Sequence, residues 1–418
     1  MITPIARLYN VTALTLLPMD SWCSTIGLCL FQQHVLRDLK PLHLPKKRMA
    51  AKKQASETQG GQFIARRKLL RAVGATCVLA QAGLSSHVSF GEEAPGLRFH
   101  SWKRDPSNPI LPPSSQGFDA KRCMNPFVVR QGDEYWMFYA GADAERRHCI
   151  CLAISPIDDL TAWKRLGPIF ETGKKGSFDE AWCVLPCVCR IGGRWHLYYT
   201  GRSAETSGGL QSFAGIGLAT SDDLLKWHKQ EAPVLLGDGF AEWPKNRGIA
   251  GGGSILELND PDGRKLYRMY YTLATGRPDK DPRIDQAKQA VVTHSYDGIK
   301  WFDKKVVLQP RADVDYENCG TIGLNVWQTP EGFRAVYGAI GTRFGAYSIC
   351  EAISPDGLLW ERGAPGKNLV LPPAGSGWES KMTTYPNVVP EGNQLRLFYC
   401  GNGYGTTGIG TAVAEILR

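Results

Sequence analysis

Acidic residues that directly follow an aromatic residue recur through the chain, and they are its first candidates for chemistry. The four phrases are Phe118-Asp119, Phe178-Asp179, Tyr316-Glu317 and Trp378-Glu379. Two carboxyl groups can cleave a glycosidic bond when one is protonated and releases the leaving group while the other activates water or attacks the sugar. Aromatic rings beside the acids suit a sugar, because its apolar face stacks on a ring. The pattern is therefore typical of a site for carbohydrates.

The repetition of these acids fits a structural role equally well. An acid that recurs at one place of several repeats can cap a turn or bind neighbouring backbone. Both roles stay open for each of the four acids. One further phrase, Phe240-Ala241-Glu242-Trp243-Pro244, departs from the pattern. This exception makes Glu242 a candidate for a step that occurs only once in the molecule.

A longer repeat predicts the elements that position these acids. About every 60 residues an apolar strand is followed by a short turn, by a second strand ending in Tyr and small residues, and by a third strand that leads to a Trp. The turns contain Gly, as in Gln131-Gly132-Asp133, which supplies the positive φ of a tight hairpin. One such sheet cannot bury both faces alone, whereas radial packing of several sheets can. Five tryptophans mark the outer strands: Trp102, Trp163, Trp227, Trp301 and Trp360.

The two ends of the repeat region predict how the ring closes. The last unit ends with a third strand at Gly408–Ala414, and no Trp strand follows it. The missing outer strand lies instead at Phe99–Lys103, ahead of the first unit. The sequence therefore predicts an all-β fold, a five-bladed β-propeller of four-stranded antiparallel blades, with the N-terminal strand joining the last blade.

Two repeat phrases carry a resemblance to a known superfamily. Ala219–Trp227 and Ser354–Trp360 resemble repeats of the five-bladed glycoside hydrolases, which include the arabinanase-like family 43, the invertase-like family 32 and the family 130 mannoside phosphorylases. The resemblance covers about residues 93–418. It implies a glycosidase that cleaves an oligo- or polysaccharide with paired carboxylates at the propeller axis. A glycoside phosphorylase and a non-catalytic carbohydrate-binding propeller are the alternatives.

The resemblance also implies roles for single residues. Glu242-Trp243-Pro244 resembles the Glu-Cys-Pro or Glu-Gly-Pro phrase that carries the general acid, so Glu242 is expected to be the proton donor. Asp119 would be the base or nucleophile, and Asp179 a second carboxylate that tunes a pKa or binds sugar.

The chain departs from families 32 and 43 at two acid positions. Asn125 replaces the Asp of the first Asp-Pro phrase, and Cys187 stands where family 43 has a second Asp. An amide cannot ionise to act as nucleophile or base. Three interpretations stay open: the acids have moved to Asp119 and Asp179, the mechanism differs, or the protein binds without cleaving.

Further residues are predicted to bind the substrate. Arginines suit hydroxyls, a carboxylate or a phosphate, and tryptophans suit a sugar face, although solvated loops and blade packing would use the same residues. The histidines do not cluster as metal ligands do, CxxC-like knuckles are absent, and neither a metal nor a cofactor is expected. The predicted substrate-binding residues are Arg122, Asn125, Trp182, Trp243, Arg247, Glu317 and Glu379.

The net charge of +9 belongs to the N-terminal part of the chain. Residues 1–91 hold 12 of the 49 basic residues and 3 of the 40 acidic ones, which leaves 37 of each in the remainder. The remainder is neutral and has no overall attraction for nucleic acid. The expected partner is a carbohydrate, and the protein is expected to be a monomer or a small homo-oligomer.

The N-terminal residues resemble a bacterial export signal. Ala65–Arg71 contains the arginine pair of a twin-arginine signal, and a short apolar stretch, Ala72–Leu84, follows it. That stretch is too short to be a stable membrane span. The predicted domains are therefore an extension at 1–48, disordered or upstream of the true start, a signal segment at 49–91, and the propeller at 92–418. The expected location is the periplasm or the outside of the cell.

Overall fold

The computed structural model describes residues 97–417 with gaps at 146, 204–212, 237–248 and 276–286. The described chain is almost entirely β. A three-residue 3-10 turn at Gly377–Glu379 and a turn at Asn402–Gly405 that contains left-handed residues interrupt the strands among the described residues. The predicted all-β class is confirmed. The predicted residues Glu242, Trp243 and Arg247, and the predicted segments 1–48 and 49–91, lie outside the described residues.

After a two-residue strand, β1 (Lys103–Arg104), the strands follow each other as antiparallel groups. In each group a long inner strand pairs with a second strand, the second with a third, and the third with a short outer strand. The first group comprises β2 (Arg122–Gln131), β3 (Glu134–Ala142), β4 (His148–Pro156) and β5 (Lys164–Pro168).

The second and third groups repeat this order. The second has two short outer strands, and both pair with its third strand. It comprises β6 (Trp182–Ile191), β7 (Arg194–Arg202), β8 (Phe213–Ser221), β9 (His228–Lys229) and β10 (Leu235–Leu236). The third comprises β11 (Ile249–Asn259), β12 (Lys265–Thr275), β13 (Ala287–Ser295) and β14 (Phe302–Leu308).

The fourth and fifth groups complete the chain. The fourth comprises β15 (Gly320–Thr329), β16 (Gly332–Ile340), β17 (Tyr347–Ser354) and β18 (Leu369–Leu371). The fifth comprises β19 (Thr384–Glu391), β20 (Gln394–Cys400) and β21 (Ile409–Glu415).

The fifth group takes its outer strand from the N-terminal side of the chain. In the antiparallel pairing of β1 with β21, Lys103 lies opposite Val413 and Arg104 opposite Ala412. This is the pairing that the position of Trp102 predicts.

A repeated turn connects the third strand of a group to its outer strand. Ser221 Oγ accepts a hydrogen bond from the backbone N–H of Leu224, and Asp223 Oδ1 accepts bonds from the N–H groups of Leu225 and Lys226. These backbone bonds lower the pKa of Asp223. The same bonds recur at Ser295 with Asp297 and at Ser354 with Asp356. The recurring Ser-x-Asp phrase is therefore a turn signal.

The core lies between neighbouring groups, because second strands are buried on both faces. The tryptophans of the outer strands pack edge-on against a ring in the second strand of the preceding group. The pairs, with their ring-centroid distances, are Trp227–Phe138 at 5.8 Å, Trp301–Tyr198 at 5.8 Å, Trp360–Tyr270 at 6.1 Å and Trp163–Phe398 at 6.4 Å. The last of these pairs joins the first group to the fifth.

Candidate functional site

Every inner strand is bulged near its beginning. The register with the second strand shifts between Met124 and Phe127 in β2, and at corresponding places in β6, β11, β15 and β19. The bulges hold three non-glycine residues in the left-handed region, each followed by Pro: Asn125 (φ 55°), Leu185 (φ 56°) and Tyr385 (φ 54°). Such a conformation costs about 1–3 kcal/mol, and backbone strain of this kind clusters at binding and catalytic sites.

The bulges line a small cleft between the inner strands of neighbouring groups. Asn125 forms part of its wall and is 3% exposed. Neither Nδ2 nor Oδ1 of Asn125 has a hydrogen-bond partner among the described residues. An unsatisfied buried amide costs about 1–3 kcal/mol, so a ligand with hydroxyl groups would gain by bonding to it. The other lining residues are Pro126, Phe127, Leu185, Pro186, Gly253, Tyr385, Pro386 and Asn387.

The walls of the cleft are tied to each other by side chains of the inner strands. Asn387 Oδ1 accepts a hydrogen bond from Val128 N at 2.9 Å, which links the fifth group to the first. Asn325 Oδ1 accepts one from Val388 N at 2.8 Å, and Ser254 Oγ accepts one from Val326 N at 2.8 Å.

Cys187 of β6 stands at the position that Asn387, Asn325 and Ser254 occupy in their inner strands, directly after the bulge. Its thiol is buried and bonded to the backbone of Ile255. Burial raises the pKa of this thiol to about 12. At the position where the resemblance places an acid, this chain therefore has a neutral link between inner strands.

Asp119 lies just ahead of β2 and is fully buried. Its Oδ2 accepts hydrogen bonds from Tyr139 Oη of β3 and from Arg165 Nε of β5, both at 2.8 Å. Its Oδ1 accepts a bond from Ser114. The carboxylate is thus neutralised within its own group, which favours the structural role that the sequence left open.

Asp179 has an equivalent environment in the second group. Its carboxylate lies 2.8 Å from Tyr199 Oη, 2.7 Å from Lys229 Nζ and 2.8 Å from Ser177 Oγ. Burial acts to raise the pKa of Asp179, but the hydrogen bonds from Lys229, Ser177 and Tyr199 outweigh it and hold this pKa below its ordinary value. Asp179 is therefore ionised and paired with a base.

Glu317 repeats the arrangement in the fourth group. It is fully buried and accepts a hydrogen bond from Tyr337 Oη at 2.7 Å. Arg311 forms an ion pair with it, and Arg362 Nη1 lies 3.5 Å from Oε1. Two bases thus surround one acid that lies within its own group.

Glu379 is the corresponding acid of the fifth group. Arg104 Nε of β1 donates to its Oε1 at 2.9 Å. Burial raises the pKa of Glu379, and Arg104 opposes this shift only in part. Since Arg104 comes from the N-terminal strand, the ion pair joins the two ends of the described chain.

One base beside each of the four acids stands at a shared position that sequence reasoning missed. Each stands two residues after the Trp of its outer strand, in the phrases Trp102-Lys103-Arg104, Trp163-Lys164-Arg165, Trp227-His228-Lys229 and Trp360-Glu361-Arg362. In the third group the corresponding phrase is Trp301-Phe302-Asp303, with an acid in the place of the base. The group that departs at Glu242 therefore also departs in its outer strand.

Two further predicted residues lie at the start of inner strands. The ring of Trp182, the first residue of β6, packs 4.0 Å from the ring of His148 and 4.2 Å from the guanidinium carbon of Arg202. Arg122 begins β2, and its charge acts on Tyr385 in the cleft wall. Arg122 is thus near the cleft, whereas Trp182 packs between protein side chains.

Among the described residues, no three His, Cys, Asp or Glu side chains form a group that could hold a metal ion. None of the helices in the described ranges has the length and apolar character needed to cross a bilayer.

Sequence comparison finds two relatives in Mycobacterium tuberculosis, the uncharacterized proteins Rv1502 and MT1551. Each is 27% identical to this chain over 305 residues, which covers 68% of the chain and 89% of the relative. No protein-family model matches the chain.

Solved structures with a similar fold come from carbohydrate-active enzymes. A structure from work on the family 130 mannoside phosphorylases, a family described as containing hydrolases of β-1,2-mannosidic linkages in Candida mannan, matches 78% of this chain and 98% of its own, with TM-score 0.57 and 17% identity. A glycosyl hydrolase from Bacteroides ovatus matches 77% and 95%, with TM-score 0.55 and 18% identity. A thermostable family 43 glycoside hydrolase matches 71% and 90%, with TM-score 0.52 and 16% identity. The chain thus has the fold of the glycoside hydrolase-like superfamily that its sequence resembles.

Proposed function

We propose that this chain is a closed five-bladed β-propeller that processes a glycosidic substrate at the cleft around Asn125. The pairing of β1 with β21 supports closure. So do the contacts between the first and fifth groups, because Trp163 packs on Phe398 as Trp227 packs on Phe138.

The observation that carries this proposal is the state of Asn125. Its carboxamide is buried in the cleft wall without a partner among the described residues, on a backbone held at φ 55°. A side chain kept in this state is organised for a polar ligand. The solved structures of similar fold belong to enzymes that act on glycosides, and sugar hydroxyls are such ligands.

Within this proposal Glu242 is the proton donor. The acids of the other four groups are each paired with a base, and the third group has Asp303 where that base would stand. A carboxyl group without a cationic neighbour retains its proton more readily, and the Trp301-Phe302-Asp303 phrase supplies no base at the position that the other groups use. Glu242 would protonate the glycosidic oxygen as the bond from that oxygen to C1 breaks. Water would then attack C1 from the side that the leaving group has vacated and give its proton back to the Glu242 carboxylate.

Phosphorolysis is the second candidate, and the pairing of Asp119 and Asp179 with bases favours it. Hydrolysis needs a second free carboxylate to activate water or attack the sugar, whereas phosphate is itself a nucleophile. A phosphate oxygen would then form the bond to C1 while Glu242 gives its proton to the leaving oxygen. Asp119 and Asp179 would stabilise their groups in either case.

A product assay tests the proposal. The full chain is incubated with a panel of oligo- and polysaccharides, with and without inorganic phosphate, and reducing ends and glycosyl phosphates are measured. We expect release of product that falls at least about 100-fold in Glu242→Gln, and little change in the control Glu231→Gln, whose side chain is 89% exposed. Binding without product would support the carbohydrate-binding alternative, and absence of both would contradict the proposal.

We also propose that residues 49–91 direct export by the twin-arginine route. The support is the Arg66-Arg67 pair followed by the short apolar stretch Ala72–Leu84. Replacing both arginines by Lys keeps the charge, so we expect loss of export in a bacterial host with unchanged synthesis. Unchanged secretion of the double variant would contradict this assignment.

A further inference from the structure

A cluster of three tyrosines and one lysine adjoins the cleft and has no role in the proposed chemistry. Lys288, near the start of β13, donates a hydrogen bond to Tyr347 Oη, and its Nζ lies 4.9 Å from the centre of the Tyr347 ring. Tyr404 lies 5.9 Å from Tyr347 between ring centres, and Tyr385 lies 6.4 Å from each of them. Tyr385 also lines the cleft with Asn125, so cleft and cluster share one residue.

The lysine of this cluster is a half-buried cation among aromatic rings. No carboxylate pairs with Lys288 among the described residues, in contrast to the bases that neutralise the four acids. Burial lowers the pKa of Lys288, and Tyr404 opposes that shift only in part. A cation in such surroundings gains from an anion that replaces its lost hydration.

The tyrosines are held in an unusual backbone. Tyr385 has φ 54° and Tyr404 has φ 58°, and Tyr404 stands between two glycines that also have positive φ. Its ring is 36% exposed, whereas Tyr347 is fully buried. The chain thus presents one accessible ring next to a fixed cation.

We propose that Lys288, held by its hydrogen bond to the buried hydroxyl of Tyr347, receives the carboxylate of an acidic sugar whose ring stacks on Tyr404. This inference rests on the proposed function, because it places a uronic-acid unit of the substrate next to the Asn125 cleft. A single ammonium group beside one hydroxyl matches a monoanion. A phosphate group would call for the several guanidinium or backbone N–H donors that dianions attract.

Calorimetric titration of the full chain tests this assignment. The probes are oligosaccharides that contain uronic acids, and the same oligosaccharides after reduction of their carboxyl groups. We expect the acidic form to bind about 10- to 100-fold more tightly than the reduced form. This preference should disappear in Lys288→Gln and persist largely in Lys288→Arg. The control Lys226→Gln, in an exposed turn of the second group, should leave it unchanged.

The outcomes separate this inference from the proposed function. Equal binding of both forms would overturn the acidic-sugar assignment and leave the glycoside proposal standing. Competition by inorganic phosphate that depends on Lys288 would show a phosphate site instead and would also overturn it. Binding of neither form, together with failure of the product assay, would overturn both.

Discussion

Asn125 and Asp119 show how neighbours decide what a polar side chain can do. Asp119 is surrounded by Tyr139, Arg165 and Ser114, which use the lone pairs of its carboxylate. Asn125 is equally buried, but its carboxamide has no partner among the described residues. In sequence the aspartate is the stronger candidate for chemistry. In the structure it is the amide whose hydrogen-bonding atoms are left unused by the described residues.

Removal of the Asn125 carboxamide should weaken binding without destabilising the fold. Asn125→Gly deletes the side chain and relieves the cost of a left-handed backbone, because Gly adopts φ 55° freely. We expect sugar affinity to fall about 10-fold or more while the free energy of unfolding stays the same or rises. Equal affinity of both proteins in titration calorimetry would remove Asn125 from the site.

Asp179→Asn, unlike Asn125→Gly, should destabilise the fold. It leaves Lys229 without its anionic partner, and we expect the free energy of unfolding to fall by about 2–3 kcal/mol at pH 7. Because the folded-state pKa of Asp179 lies below its unfolded value, the stabilisation is present above about pH 4 and is lost as the pH falls through the folded-state pKa.

Denaturant unfolding at several pH values measures the free energy of unfolding of wild type and of Asp179→Asn. The difference in free energy of unfolding between wild type and Asp179→Asn should become smaller at acidic pH. An exposed matched change, Asp222→Asn, should leave stability within about 0.5 kcal/mol at every pH. If the difference in free energy of unfolding between wild type and Asp179→Asn grew on acidification, Asp179 would not be the ionised, stabilising carboxylate described above.

The inner strands combine two functions, since their bulges form the cleft and their side chains tie neighbouring groups together. Asn387, Asn325 and Ser254 each accept a backbone hydrogen bond from the next inner strand. The strands themselves follow from the apolar runs and glycine turns of the sequence. The left-handed bulges do not, because Leu185 and Tyr385 carry no local preference for positive φ.

These hydrogen bonds between inner strands should stabilise the fold by similar amounts wherever two neighbouring groups meet. Asn387→Ala leaves the buried N–H of Val128 unpaired and Asn325→Ala the part-buried N–H of Val388, so we expect each to lower the free energy of unfolding by about 1–3 kcal/mol. The exposed control Asn393→Ala should change it by less than about 0.5 kcal/mol. A much smaller loss for Asn387→Ala than for Asn325→Ala would indicate that the first and fifth groups are not joined in the same way.

For the molecule as a whole, composition and repeats predict far more of the fold than of the site. Five Trp phrases and a split last unit indicate the strand order, because each repeat states it again. The pairing of acids with bases could have been found in the phrases with Arg or Lys two residues after Trp. The cluster of Lys288 with Tyr347 and Tyr404 could not, because it joins residues far apart in sequence through loops without a shared pattern.

The proposed closure of the ring by the N-terminal strand predicts the effect of replacing Trp102. Trp102 is 8% exposed and packs in one cluster with Val336 of the fourth group and Ala412 of the fifth. Trp102→Ala should therefore cost about 3–5 kcal/mol, as should Trp163→Ala in the first group. Equilibrium unfolding monitored by circular dichroism measures both. A loss below about 1 kcal/mol at Trp102 alone would mean that this strand does not complete the fold.

The position of a bound sugar tests the central claim most directly. A crystal structure of the full-chain Glu242→Gln variant with an oligosaccharide selected in the product assay would give that position. We predict a sugar ring between the bulged inner strands, with a hydroxyl within hydrogen-bond distance of the Asn125 carboxamide. A sugar bound only at the outer strands, with the cleft walls uncontacted, would contradict the account.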